Sequence, residues 1–288
     1  STQGVSSAAS DVYKRQMNEE LSSLRFDGVG KCKGGIFDNV NISGTGKIEG
    51  SVKCSKFDSS GSAKVFGTTE CNEFFTSGLS KVEGNILASK VEISGLLRCT
   101  GNINSVEIDT SGIINIEGSI KSDIIHGEGY LKANENIDCE NINLSGILEC
   151  NGFLNCEEVN ISLNGISNFN EVGASIINIK KGHGDYCKKF RMLEKKHINF
   201  EKVSSNLISL GLLSIRKYTE SKLFANIIEA DEISLENSEV KVVRGKNIKI
   251  GKGCYVESLE YSESIEIDED SIVGEIKNIS CLLYTSPS

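Results

Sequence analysis

The sequence has few of the segments and residues that mark out many functional classes. It contains one proline, Pro287, and three histidines. No apolar run approaches the roughly 18 residues of a membrane-spanning helix, and no signal peptide precedes the first regular segment. Acidic residues outnumber basic ones by 40 to 31, which disfavours nucleic acid as a partner because phosphate binding needs a basic surface. We therefore expect a cytoplasmic protein, with a peripheral position at the inner face of the membrane left open.

The two ends of the chain are interpreted as foreign to the protein. Residues 11–16 and 281–286 can be written in codons that are reverse complements over nearly their whole length, which unrelated protein termini have no reason to be. They resemble the translated ends of a transposase-type sequencing adapter. We therefore expect residues 1–16 to be adapter sequence or disordered and residues 281–288 to be adapter sequence. A natural flexible tail at each end is the alternative.

The strongest pattern is a glycine that returns at a constant interval without insertion or deletion. A second glycine follows six positions after most members of this row, as Gly50 follows the first of them. The row consists of Gly44, Gly61, Gly78, Gly95, Gly112, Gly129 and Gly146. A fixed period, here of about 17 residues, indicates a repeat architecture.

Within each repeat, short β-branched segments alternate with Gly, Ser and Asn. Apolar residues recur four, eight and thirteen positions after the glycine, as in Ile48, Val52 and Phe57. This is typical of strands and turns, and the unit is too short for a helical hairpin. We predict an all-β protein, a single-stranded β-helix (β-solenoid) in which one repeat forms one coil of about 17 residues. Each coil would hold three short strands, joined at corners where glycine adopts backbone conformations that other residues resist.

Several cysteines share one column of the repeat with small residues. Ten positions after the glycine stand Cys54, Cys71, Cys139 and Cys156. Metal binding or redox sensing is one interpretation, and a column of small hydrophobes is the favoured one. In-register thiols also suit a reducing cytoplasm better than a disulfide framework. We predict no catalytic, cofactor or metal site, and no small-molecule substrate.

Charge along the repeat is interpreted as structural. A basic stripe lies three positions after the glycine, with glutamates two positions further on, as in Lys47 and Glu49. A solvated face that neutralises itself is favoured over a grip on a polyanion.

The repeat weakens after Val159 and is interrupted by a basic segment at 181–202. We predict a regular solenoid over 17–180, a basic insertion or short helix over 181–202, and an irregular continuation of the solenoid over 203–280. The insertion is a candidate arm for a partner or an acidic membrane surface, with a plain surface insertion as the alternative. The residues of this arm are Lys188, Lys189, Phe190, Arg191, Leu193, Lys195 and Lys196.

Two stretches resemble the bactofilin family, and most closely its polymer-forming cytoskeletal members from low-GC Gram-positive bacteria. One is the iterated pattern that residues 41–52 show as NISGTGKIEGSV. The other is VVRGKNIKIGKGC at 242–254, followed by VESLEY at 256–261. The resemblance implies a right-handed β-helix that polymerises into filaments without nucleotide. The chain departs from compact members in its length and in the insertion.

The predicted function is that of a cytoskeletal or scaffold protein whose coils stack end to end. A solenoid ends in two sheet edges with unpaired backbone groups, which a second copy could satisfy. The predicted polymer contact is the first coil, around Phe26, Ile36 and Phe37. Envelope proteins or the membrane surface are further candidate partners. Alternatives are a β-helix acyltransferase or polysaccharide-active enzyme, and an exported surface adhesin.

Overall fold

The protein is a single stack of parallel β-strands. The computed structural model describes residues 22–182 and 221–279, and every regular element in these ranges is a strand. About 13 coils follow one another along the stack. The predicted all-β solenoid with about 17 residues per coil is therefore confirmed, whereas its handedness stays a prediction.

Short strands make up the first coils and longer ones the later coils, where the chain keeps its pairing around a corner. The first thirteen strands are β1 (Leu24–Phe26), β2 (Val29–Ile36), β3 (Asn39–Ile42), β4 (Thr45–Lys53), β5 (Lys56–Ser59), β6 (Ser62–Val65), β7 (Thr69–Thr76), β8 (Leu79–Val82), β9 (Ile86–Ile93), β10 (Leu96–Cys99), β11 (Ile103–Asn104), β12 (Glu107–Thr110) and β13 (Ile113–Ile116). The remaining strands are β14 (Ile120–Ala133), β15 (Ile137–Asn155), β16 (Glu158–Leu163), β17 (Ile166–Lys181), β18 (Lys222–Leu235), β19 (Ser238–Ile250), β20 (Tyr255–Ile267) and β21 (Ile272–Asn278).

The register between coils follows the sequence period. Ile86, Ile103 and Ile120 stand directly above one another, each one full repeat from the next. The three apolar columns fill the interior, since Ile48, Val52 and Phe57 are each at most 1% exposed. Phe57 stacks on Phe74 with ring centroids 4.9 Å apart and an angle of 3° between the rings. Like side chains thus form continuous ladders, which bury apolar surface along the whole stack.

The corner glycines are explained by close backbone approach and not, in general, by an unusual backbone conformation. Of the seven, only Gly129 has a left-handed φ, at 130°. A Cβ atom on Gly61 or Gly78 would instead collide with the carbonyl oxygen of the glycine one coil earlier. Five of the seven glycines lie in bends between strands, whereas Gly129 and Gly146 lie within β14 and β15. The predicted reason for glycine, an unusual backbone conformation, is wrong at all of them except Gly129.

The stack continues across the interruption. Ile166 of β17 pairs with Lys222 of β18, and Ile179 pairs with Leu235. At the other end of β17, Lys181 pairs with Leu163 of β16. Because β17 and β18 pair directly, the described part of the continuation begins at β18, and the predicted start at residue 203 lies outside the described residues.

The later coils vary in length. Ile228, Val243, Leu259 and Ile276 stack on one another. The first of the three intervals in this column is two positions shorter than the sequence repeat and the second is one position shorter, whereas the third equals it. Part of this irregularity is a shift of register between Gly245 and Asn247 in β19, and the parallel pairing with β20 continues on both sides of it.

Candidate functional site: the two ends of the stack

Within the described part of the chain, the first coil has an open sheet edge. Strand β1 pairs with β3 and strand β2 pairs with β4, both on the side of the following coil. No other strand within 22–182 and 221–279 pairs with the opposite edge of β1 or β2. Their outward N–H and C=O groups can therefore receive a further parallel or antiparallel strand.

The three predicted contact residues of the first coil divide into two kinds. Ile36 is 62% exposed. Phe26 and Phe37 are half-buried and pack against the core. Phe26 stacks above Ile42, and its ring fills the space over Gly30 and Gly46. Of the three side chains, Ile36 is thus the one that faces outward, whereas the two rings pack against the core.

Val29 is an exposed residue that the sequence interpretation missed. It is 91% exposed, more than any other large apolar residue in the described ranges. It occupies the position directly after Gly28, where Leu79 in a later coil is 44% exposed. The repeat places an outward residue at this position, and the end of the stack exposes it further.

Among the described residues the last coil forms a second open edge, for which the sequence interpretation named no residues. Strand β21 pairs with β20, and β21 has no further partner among the described strands. Ile272 and Ile276 are 65% and 48% exposed, although Leu259, directly beneath Ile276, is fully buried. The apolar columns of the interior are therefore exposed at this end of the stack as well. A last coil has the same apolar pattern as an inner one, so the sequence did not reveal it.

The last coil is strongly acidic. Residues 262–279 contain six carboxylates and one basic residue, Lys277. Lys249 approaches Glu266 at 3.0 Å and Asn247 donates a hydrogen bond to Glu263 at 3.1 Å. The C-terminal end of the stack thus presents apolar side chains surrounded by negative charge.

The basic stripe lies on the outer side of the coils, which we call the wall of the stack. Neighbouring carboxylates neutralise it. Lys64 and Lys81 approach one carboxylate oxygen of Glu83 at 3.1 Å and 2.6 Å. The hydrogen bond from Lys81, with that from Lys64, holds the pKa of Glu83 below its usual range. Arg98 contacts Glu117 at 2.6 Å. The stripe is therefore a set of exposed ion pairs and offers little free charge to a polyanion.

The wall shows one histidine cluster. His126 Nε2 lies 2.9 Å from Glu107, and Nδ1 lies 3.7 Å from Asp109. The hydrogen bond from His126 lowers the pKa of Glu107. In the described part of the chain no group of three or more His, Cys, Asp or Glu side chains is arranged to hold a metal ion. The described residues also include no helix long and apolar enough to cross a membrane.

A shallow cavity of about 290 Å³ opens on the wall near the junction of β17 and β18. Asn168, Phe224, Asn226, Lys241 and Glu257 line it. Its lining contains no histidine, serine or cysteine.

The predicted arm lies outside the described residues. This applies to its seven residues, Lys188, Lys189, Phe190, Arg191, Leu193, Lys195 and Lys196. The end segments 1–16 and 281–288 also lie outside the described residues.

Short stretches of the chain are similar to two proteins of Bacillus subtilis (strain 168). YhbF is 45% identical over 56 residues, which are 19% of this chain and 24% of that protein. YhbE is 38% identical over 64 residues, which are 22% of this chain and 27% of that protein. Both are named as uncharacterized proteins, and the match spans about a quarter of the length of each. No protein-family model and no solved structure matches the chain.

Proposed function

We propose that this protein is a cytoskeletal or scaffold protein of the bactofilin type, whose copies stack end to end into filaments without nucleotide. Its partner is primarily a second copy of itself, and its place is the cytoplasm or the inner face of the membrane. Envelope proteins are further candidate partners. No enzymatic role is proposed.

The observation that carries this proposal is the pair of open sheet edges. At each end the described strands leave a row of backbone donors and acceptors without a strand partner. Natural sheets usually protect such edges, because they pair readily with other chains. A contact between stacked ends that does not close into a ring extends indefinitely as a filament.

Apolar side chains at both ends support the same proposal. Leu24 and Phe26 are partly exposed, although Val40 and Ile42 directly beneath them are at most 1% exposed. Ile276 is half-exposed above the buried Leu259. A second copy would cover these side chains, so stacking would extend the apolar ladders from one copy to the next.

The resemblance of residues 41–52 and 242–261 to bactofilins gives independent support, because nucleotide-independent polymerisation is what that resemblance implies. The wall contributes less, since its described charges are largely paired with one another. We therefore assign assembly to the ends of the stack.

Electron microscopy of the purified protein, without nucleotide or metal, tests the proposal. We expect filaments whose width matches one or a few stacks and whose length grows with protein concentration. Particles that remain monomeric at all concentrations would contradict it.

A matched pair of substitutions locates the contact. Ile36→Lys places a charge at the open first coil, where Ile36 is 62% exposed. Val106→Lys makes the same change in mid-stack, where Val106 is 53% exposed. We expect the first variant to shorten or abolish filaments and the second to leave them intact. Filaments from both variants would contradict a contact through Ile36, and Ile272→Lys, at the opposite end, provides a second test of end-to-end stacking.

A further inference from the structure

Cys139 and Cys156 face each other across two adjacent coils. Their Sγ atoms are 2.7 Å apart, and the residues are 17 positions apart in the chain. Contacts on both sides hold the pair in register. The backbone N–H of Glu157 donates to the carbonyl of Glu140 at 2.9 Å, and the Asn155 side chain donates to Asp138 at 3.4 Å.

This arrangement is close to that of a disulfide. Neighbouring strands of a sheet are about 4.8 Å apart, and disulfide-linked Cα atoms are usually about 4.4–6.8 Å apart. A disulfide bond is about 2.05 Å long, so the sulfur atoms need to approach by less than about 1 Å. Small side-chain rotations supply this movement, and the ladder of hydrogen bonds does not have to break.

Access distinguishes this pair from the other pair in the same column. Cys139 is half-buried, whereas Cys156 is 7% exposed. Cys54 and Cys71 are 8% and 7% exposed. Among these four cysteines, Cys139 is therefore the most exposed residue, and its sulfur contacts that of Cys156.

The surroundings of Cys139 determine which oxidants can react and how fast. The hydrogen bond with Cys156 and burial raise the pKa of the Cys139 thiol, and the charges of Asp138 and Cys150 add to this effect. The reactive thiolate is therefore scarce at neutral pH. Asp138 lies beside the thiol, and Glu140 and Glu157 are exposed nearby. These carboxylates repel anionic disulfides and favour neutral or cationic ones.

We propose that Cys139 and Cys156 form a dithiol–disulfide couple that links two adjacent coils when a small neutral or cationic disulfide is present. The Cys139 thiolate attacks one sulfur of the small disulfide, which releases one thiol and leaves a mixed disulfide on Cys139. Cys156 loses its proton to solvent and attacks the Cys139 sulfur, which releases the second thiol. Two protein thiols are oxidised, and one small disulfide is reduced to two thiols.

Incubation of the folded, reduced protein with cystamine tests the proposal. After alkylation of the remaining thiols and proteolysis, mass spectrometry should find the Cys139 and Cys156 peptides joined. The rate should rise about tenfold per pH unit between about pH 7 and 9, because the thiolate fraction rises by that factor. The linked protein should melt several degrees higher, because the bond closes a loop in the unfolded chain.

Serine variants separate the role of Cys139, which attacks the small disulfide, from that of Cys156, which attacks the mixed disulfide. Ser105 and Ser122 occupy the equivalent positions of other coils with their Oγ atoms 3.2 Å apart, so the column accommodates serine. We expect Cys156→Ser to accumulate a stable cystamine adduct on Cys139. We expect Cys139→Ser to form neither the adduct nor the link at Cys156.

The buried pair serves as an internal control. Cys54 and Cys71 should stay reduced in the folded protein under the same conditions. Linkage of Cys54 to Cys71 at the same rate as the proposed pair would overturn the argument from access. A Cys139 adduct that persists in the unsubstituted protein, or no reaction at Cys139 when the unfolded chain reacts, would overturn the proposal itself.

Discussion

At each corner glycine, the backbone of one coil lies against the carbonyl oxygen of the coil before it. Adding a Cβ atom to Gly78 would push it into the carbonyl of Gly61. Both partners in this contact are backbone atoms held in a ladder, so neither can move away without disturbing neighbouring coils. The contact therefore requires a residue without a side chain.

Gly78→Ala tests this contact. We expect it to destabilise the protein by about 1–3 kcal/mol, in the range of overpacked cores. Gly28→Ala is the control, because a Cβ atom at Gly28 has no neighbour within 4 Å. Thermal unfolding followed by circular dichroism measures both, and equal melting temperatures for the two variants would contradict the steric explanation.

The sequence predicted where these glycines lie but not why. Their constant spacing identifies a repeated corner, yet it does not show which atoms approach each other there. Only Gly129 has the left-handed φ that we expected of the row. The collision with Gly44, Gly61 and their successors arises between coils, so it depends on the stack and not on the local sequence.

Individual strands are tied to their neighbours by ladders of paired charge on the wall. Glu83 on the wall beside β8 accepts a hydrogen bond from Lys81 and approaches Lys64 of β6. The pKa of Glu83 is lowered, chiefly by the hydrogen bond from Lys81. A carboxylate with a lowered pKa in the folded state stabilises the fold above its unfolded pKa, and this contribution is lost as the pH falls through the folded pKa.

We therefore expect stability to decline as the pH falls below about 4.3, the usual pKa of glutamate. The Glu83→Gln variant should decline less steeply over this range, because it lacks one of the titrating groups. Glu140→Gln, at an exposed position, is the matched control. Melting temperatures between about pH 7 and 3 provide the measurement, and identical pH profiles for the Glu83→Gln variant and the unsubstituted protein would contradict the prediction.

Strands were predicted more accurately than the corners between them. The apolar period indicated strands at Ile48, Val52 and Phe57, and the structure places all three in strands. It did not predict the shortened coils that separate Ile228, Val243 and Leu259. A corner can lose a residue while the strands beside it keep their register, so the change leaves no mark in the strand pattern.

The whole molecule carries a net charge of −9, and much of its acidity lies at one end. The last coil holds six carboxylates against Lys277, whereas the first coil, residues 22–38, holds three basic and two acidic residues. Because each copy carries a net charge of −9, two copies repel as they approach, even though the first coil is slightly basic. Salt screens this repulsion over about 10 Å at 0.1 M.

We expect filament assembly to become faster as the ionic strength rises from about 10 mM to 150 mM. Light scattering with electron microscopy of the end point measures it. Replacing Glu263 and Glu266 with glutamine should reduce the dependence on salt, because it removes charge from the last coil. Assembly that salt slows would show instead that attraction between unlike charges dominates the contact.

The junction between β17 and β18 has a consequence for how much sequence the stack tolerates. Lys181 stands above Leu163, and Lys222 stands above Ile166. In the coil beneath, Asn164 and Gly165 alone connect the equivalent positions. Lys181 and Lys222 are therefore as near to each other as the ends of a two-residue turn. The strand pairing therefore requires no more than such a turn between Lys181 and Lys222. Each doubling of the length of this connection costs only about 0.6 kcal/mol in loop-closure entropy. The junction is therefore an insertion site, at which evolution or protein engineering can shorten, replace or extend the connecting sequence without changing the pairing of the coils.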